Sequence, residues 1–145
     1  MPDYESLNHS TWECKYHIVW IPKYRKKKIY EKIRKDLSQE IKRLASRMEC
    51  EILEGHMMSD HVHILIQIPP KYSVAKVMGY IKGKSAIYVA KKYGRRGYFT
   101  GQHFWARGYF VSTVGNDENV IRRYIQNQEK EDQKLDQDLG LFPEL

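Results

Sequence analysis

The sequence predicts an α+β fold: an antiparallel sheet of the split βαβ type, with helices on one face and a further helix at the C-terminal end. Three observations carry this. The hydrophobic period switches along the chain in the order strand, helix, strand, strand, helix, strand, helix. The 145 residues suit one domain, spanning 1–145, since domains usually run about 100–150 residues. A hydrophobic content of 41% with mean hydropathy -0.69 describes a very polar chain that still folds, neither disordered nor membrane-spanning.

Residues 14–21 (CKYHIVWI) form an aromatic and β-branched run stopped by Pro22, a strand feeding the basic loop KYRKKK. Ile33, Leu37, Ile41, Leu44 and Met48 then recur every three or four residues and place one apolar stripe on a helix from about Ile29 to Met48. Residues 50–57 and 61–68 read as two strands of a hairpin turned at Ser59-Asp60, the second ended by Pro69-Pro70. Ser73 is a good N-cap for a second helix carrying Val74, Val77, Met78, Ile81 and Tyr88, weakened by Gly79 and Gly83 and ending at Gly94. Residues 104–114 (FWARGYFVSTV) supply the next strand. Gly115-Asn116-Asp117 turns the chain into a third helix running to about Lys134.

Charge narrows the function classes. Lys and Arg total 25 against 18 Asp and Glu, for a net +7 and a pI near 9.3. The acidic end, residues 129–145, carries -4, which leaves +11 on residues 1–128. Lys23, Arg25, Lys82, Lys84, Arg95, Arg96 and Arg107 stand in or beside the basic clusters KYRKKK, KGK and KKYGRR and are candidate phosphate contacts. A solvated surface is the competing reading of each. Cys14 and Cys50 have no second cysteine nearby, so neither a zinc knuckle nor a redox pair is present and both read as buried thiols. The longest apolar run is far short of the about 20 residues a bilayer needs, and the N-terminus lacks a signal-peptide core, which predicts a cytoplasmic protein.

Chemistry gathers at two places. Along DHVHILIQI, alternation sends His61, His63, Leu65 and Gln67 to one side of the strand and Val62, Ile64, Ile66 and Ile68 to the other. The aliphatic side must face the helices, so His61 and His63 share the open face and can ligate one metal. Ordinary hydrogen-bonded histidines are the alternative. On the third helix, Ile121, Tyr124, Ile125 and Gln128 share a face, with Tyr124 and Gln128 one turn apart. Tyr124 alone reads as a core aromatic, whereas an amide on an apolar stripe needs a partner, and a metal held by two histidines is one.

Taken together, His61-Val62-His63 on a strand and Tyr124 followed by Gln128 on a later helix resemble the HUH-superfamily single-tyrosine transposases of the smallest bacterial and archaeal insertion sequences. The stretches CKYHIVWIPKYR, DHVHILIQIPP, GYIKGKSA and FWARGYFVSTVG extend the resemblance over nearly the whole chain. It is also similar to the transposase-like proteins of dispersed palindromic repeats. The resemblance implies a ferredoxin-like fold of the RNA-recognition-domain type, single-stranded DNA hairpins at element ends as partners, and a homodimer in which one chain's tyrosine helix often completes the other's site. It implies that Tyr124 attacks phosphorus to give a 5′-phosphotyrosine and a free 3′-hydroxyl, with Mg²⁺ or Mn²⁺ held by His61, His63 and Gln128.

That chemistry suits the residues. A tyrosine hydroxyl, with a pKa of about 10, is a poor nucleophile near neutrality unless the site offsets the developing charge. Imidazole is softer than the oxygen ligands Mg²⁺ prefers, so Mn²⁺ is expected to serve at least as well. The alternative from another class is a non-catalytic single-stranded RNA- or DNA-binding module. Arg107-Gly108-Tyr109-Phe110-Val111 begins like the aromatic motif of an RNA-recognition domain, but Phe110 sits where a small residue is expected.

Overall fold

The computed structural model describes residues 5–7, 10–94, 104–115 and 118–138. A short antiparallel pair, β1 (Glu5–Leu7) and β2 (Ser10–Trp12), precedes the main body and had no signal in the sequence. The body runs β3 (Lys15–Trp20), α1 (Lys27–Arg47), β4 (Glu51–Met57), β5 (Val62–Gln67), α2 (Val74–Tyr93), β6 (Phe110–Thr113) and α3 (Glu118–Asp138). The basic loop after Pro22 is a single 3-10 turn, Tyr24–Lys26, leading straight into α1. All neighbours in the sheet are antiparallel and the order is β4-β5-β3-β6. The two strands on either side of α1 are thus separated by β5, which is the split βαβ order of a ferredoxin-like sheet.

The aliphatic stripes do what their spacing requires. Ile33, Leu37, Ile41 and Leu44 of α1 and Val77, Met78 and Ile81 of α2 pack on Ile18, Val62, Ile64, Ile66 and Ile68 in one buried cluster. Ser73 caps α2, its Oγ accepting from the Lys76 backbone N–H at 3.0 Å. Gly79 and Gly83 do not interrupt the helix. Among the described residues no helix is long and apolar enough to cross a membrane. The Asn116-Asp117 part of the expected turn and the chain beyond Asp138 lie outside the described residues.

Two expectations are corrected. The second face of the sheet is not open: the further helix, α3, lies against it, where Ile125 is buried with Leu65 and Val114, flanked by Leu53 and Ile121. As a result every residue of β5 is buried, including His63 and Gln67 on the face expected to be open. The expected strand over residues 104–114 is also shorter, because only Phe110–Thr113 joins the sheet.

Residues 104–106 instead plug the core edge-on. Trp105 packs its ring against Trp20, Tyr30 and Phe104, and its Nε1 donates to Ser85 Oγ at 2.9 Å. Backbone bonds from Lys23 N to Phe104 O and from Ala106 N to Ile21 O fix the segment beside the end of β3. Lys82 Nζ donates to the carbonyls of Ala106 and Gly108 at 2.9 and 2.7 Å. Gly108 then takes φ +80, a left-handed turn that side-chain-bearing residues avoid, before the chain enters β6. Aromatic composition signals a strand and a core plug equally, so the sequence could not separate them.

Ser85 and Trp105 are both buried, so removing the hydroxyl would strand the indole N–H. Ser85→Ala is therefore expected to cost about 1–3 kcal/mol. Urea unfolding checks this, with a lower midpoint at unchanged slope; an unchanged midpoint would show that the indole is satisfied without Ser85.

Candidate active site

The site forms between the second face of the sheet and α3. Register places His56 of β4 opposite His63 of β5, with Val19 of β3 on the other side of His63. His17 lies two residues before Val19, opposite Leu65, and so shares the face. Three histidines, one from each of three strands, therefore occupy one face, and His61 stands immediately before β5 beside them.

The start of β5 is pinned from beneath by α1. Tyr30 Oη donates to the His61 carbonyl at 2.6 Å, and Arg34 Nη1 donates to the Met57 carbonyl at 3.1 Å. Met58 N–H also donates to the His61 carbonyl, at 2.8 Å, closing the turn. The backbone that aims the His61 side chain is thus held by two residues one helical turn apart.

Three imidazoles and a carboxylate then run in a line. His61 Nδ1 donates to Asp60 Oδ1 at 2.5 Å, because a carboxylate can only accept. That leaves the lone pair of His61 on Nε2, which meets His63 Nε2 at 2.6 Å. The opposite nitrogen of His63, Nδ1, lies 3.1 Å from His17 Nε2. Two imidazole lone pairs repel at such a distance, so the His61–His63 contact is stable only with a proton or a cation shared between them.

Burial first, and then the neighbouring His61, His17 and His56, push His63 down to about 4. Burial also lowers His17. Both rings are therefore neutral near pH 7, the form in which imidazole binds metals. Among the described residues no group of three or more His, Cys, Asp and Glu gathers to hold a metal ion. His61 and His63 are the pair whose nitrogens converge.

Helix α3 brings Tyr124 of the same chain to this point. Its ring lies 5.8 Å from that of His63 and 6.5 Å from that of His17, centroid to centroid, with 48% of the residue exposed. Polar contacts surround the buried Ile125. Glu118 pairs with Lys15 at 2.5 Å, Arg122 Nη1 donates to the Leu53 carbonyl at 3.3 Å, and Gln126 Nε2 donates to Glu54 Oε2 at 3.0 Å. Gln128 is partly buried one turn beyond Tyr124. Among the described residues it forms no hydrogen bond with His61 or His63.

The cationic candidates divide. Arg25, Lys84 and Arg107 are exposed and Lys23 is partly buried. Lys82 is occupied by the carbonyls of residues 106 and 108, and burial lowers it. Arg95 and Arg96 lie outside the described residues. Sequence reasoning missed His17, His56 and Asp60. Alternation along CKYHIVW would have put His17 on the side away from the core-facing Tyr16, Ile18 and Trp20, but only strand register could bring it to His63.

Known proteins resemble this chain in sequence and in fold. The family model described as IS200-like transposase matches residues 10–128. The transposases for insertion sequence element IS200 of Salmonella typhimurium and Salmonella typhi are each 41% identical over 138 residues, covering 94% of this chain and 91% of theirs. A crystal structure of a candidate transposase from Deinococcus radiodurans matches with a TM-score of 0.67 at 23% identity, over 86% of this chain and 98% of that one. A tyrosine transposase associated with REP sequences and bound to a REP hairpin matches with a TM-score of 0.58 at 10% identity, over 95% of this chain and 76% of that one. The two structural likenesses speak for the fold, while the family match and the 41% identity reach further: the chain belongs to the family of IS200-like transposases.

Proposed function

We propose that this transposase cleaves and rejoins single-stranded DNA at insertion-sequence ends through a 5′-phosphotyrosine on Tyr124, with a divalent ion, Mg²⁺ or Mn²⁺, held by His61 and His63 and completed by Gln128. The observation that carries the reading is the meeting of Tyr124, at 5.8 Å between ring centroids, with a histidine pair whose Nε2 atoms converge to 2.6 Å. A cation between those nitrogens would resolve the repulsion of their lone pairs. When bound, it would supply positive charge to a non-bridging oxygen of the scissile phosphate.

The chain's own part begins at Tyr124. Its partial exposure lets a DNA strand approach the residue, while Ile125 anchors the next position of the helix. The phenolic oxygen gives up its proton and attacks phosphorus, an O–P bond forms to the tyrosine as the bond to the 3′ oxygen breaks, and the 3′ oxygen takes up one proton to become a 3′-hydroxyl, so no proton is consumed overall. The phosphodiester is exchanged rather than hydrolysed, so the step reverses when a 3′-hydroxyl attacks, and no ATP is needed. Gln128, from the same helix edge, would add a neutral carbonyl oxygen. A neutral amide leaves the charge of the ion for the phosphate.

Grip on DNA is assigned to the basic body. Arg25, Lys84 and Arg107 are exposed as phosphate contacts require, and Tyr24 beside Arg25 is 90% exposed, a ring on which an unpaired base can stack. The homologous fold bound to a REP hairpin supports a hairpin substrate. A homodimer is proposed as well, and β6, an edge strand with Phe110 58% exposed, is a surface it could use. In this chain Tyr124 reaches its own histidines, so strand cleavage is proposed to work within one subunit.

Incubation with single-stranded element ends and Mn²⁺, followed by denaturing electrophoresis, tests the proposal: a covalent protein–DNA adduct is expected. Tyr124→Phe should abolish the adduct and leave hairpin binding intact, with stability changed by no more than about 0.5 kcal/mol for a half-exposed side chain. An adduct persisting at another tyrosine would sink the assignment. Gln128→Ala should raise the Mn²⁺ concentration for half-maximal cleavage, and identical half-saturation would remove Gln128 from the ligand set. Hairpin affinity should fall roughly a thousandfold or more between about 50 and 200 mM salt, as displacement of counterions from several phosphates demands. Affinity independent of salt would remove the basis for a nucleic-acid partner.

A further inference from the structure

We propose that His17 is a positioning residue for the metal site: its Nε2 accepts the Nδ1 proton of His63 and so holds His63 in the tautomer whose Nε2 lone pair faces a divalent ion. The inference rests on the metal reading above and goes beyond it by assigning a role to a residue outside the HUH motif. The ring planes of His17 and His63 lie 17° apart with centroids separated by 5.3 Å, and the two facing nitrogens are 3.1 Å apart. A centroid separation equal to the N···N distance plus about two ring radii places the rings edge to edge in nearly one plane, the geometry of a hydrogen bond rather than of stacking.

The direction of that bond follows from the other end of the line. His61 is fixed with its lone pair on Nε2 by donation to Asp60 at 2.5 Å. For an ion to bind between the two Nε2 atoms, His63 must also present a lone pair there, so its single proton has to sit on Nδ1. His17 Nε2 is the acceptor placed to hold it. His17 is not a third ligand, because it meets His63 on the nitrogen opposite the one that meets His61. Asp60, 57% exposed, orients His61 from the solvent side; His17, fixed on a strand between β5 and β6, orients His63 from within the sheet. Partners of this kind commonly change metal affinity by about 10- to 100-fold.

Mn²⁺ binding to the full-length chain without DNA, measured by titration calorimetry, tests this apart from catalysis. The set is wild type, His17→Leu, His17→Gln and His63→Ala. Gln places its carbonyl oxygen as many bonds from the backbone as His places Nε2, so it can accept the same proton. The expected result is that His17→Leu weakens Mn²⁺ by about 10-fold or more, that His17→Gln stays near wild type, and that His63→Ala loses binding. Equal affinity for wild type and His17→Leu would overturn the role of His17 and leave the metal site standing. A His17→Gln variant as weak as His17→Leu would overturn the acceptor role, and no saturable binding by wild type would overturn the metal reading and this inference together. Should His17→Leu fail to fold, ¹⁵N NMR of the wild-type chain with Zn²⁺ decides: a proton on His63 Nδ1 supports the proposal, and one on Nε2 refutes it.

Discussion

Because side chains alternate along a strand, wedging Val62, Ile64 and Ile66 beneath α1 and α2 leaves His63, Leu65 and Gln67 only the opposite face. A slip of one residue would drive the imidazole and the amide into the aliphatic layer and expose the aliphatic side chains in exchange. Each stranded polar group would cost about 1–3 kcal/mol, and each aliphatic side chain returned to water about 1.5–3 kcal/mol. Residues that do no chemistry therefore fix where the histidines point. Tyr30 and Arg34 extend this control to the turn, since both reach from α1 to carbonyls at the entrance to β5.

The tyrosine is placed by a smaller force. Helix α3 buries Ile125 against Leu65 and Val114, and Glu118, Arg122 and Gln126 add polar contacts with the sheet around it. Polar contacts of this kind contribute about 0.5–1.5 kcal/mol each net of the water they displace, so the apolar contact supplies much of the affinity and the polar contacts set the rotation and slide of the helix. Ile125 pointing inward leaves Tyr124, the preceding residue, at the edge of the interface. There its ring reaches His63 while much of the residue stays accessible. The nucleophilic role proposed for Tyr124 would be better served by such an edge, which a polymeric strand can reach, than by a core position.

Much of the fold was legible because its elements announce themselves through period and caps. The stripe of α1, the Ser73 cap and the alternation of β5 each depend on residues close in sequence. What escaped depends on residues far apart. The aromatic run FWARGYFVSTV satisfies strand propensity throughout, yet Trp105 finds a partner in Ser85 and Lys82 ties down two carbonyls, which withdraws the first half from the sheet. The covered second face was missed for the same reason, since no local pattern says that Leu65 will meet Ile125. Within the site, His61, His63 and Tyr124 were legible from motif spacing. His17, which lies in a strand of otherwise ordinary composition, became visible only through register.

The donors at the proposed metal site share one property that follows from where they sit. His63 is buried and held neutral, His61 directs its Nδ1 proton to Asp60, and Gln128 carries no charge. The carboxylate that orients His61 is itself largely in water, where its field is screened before it reaches the far nitrogen. A site built of carboxylates would hold a divalent ion more tightly, but it would also offset the charge that a phosphate needs to meet. A neutral set with a single carboxylate one ring removed would give up affinity and keep the charge of a bound ion directed at the DNA. The lowered pKa of His63 serves the same end. A ring that resists protonation stays available as a ligand, and burial, which in most positions would only penalise a histidine, here keeps it in the form the proposed chemistry uses.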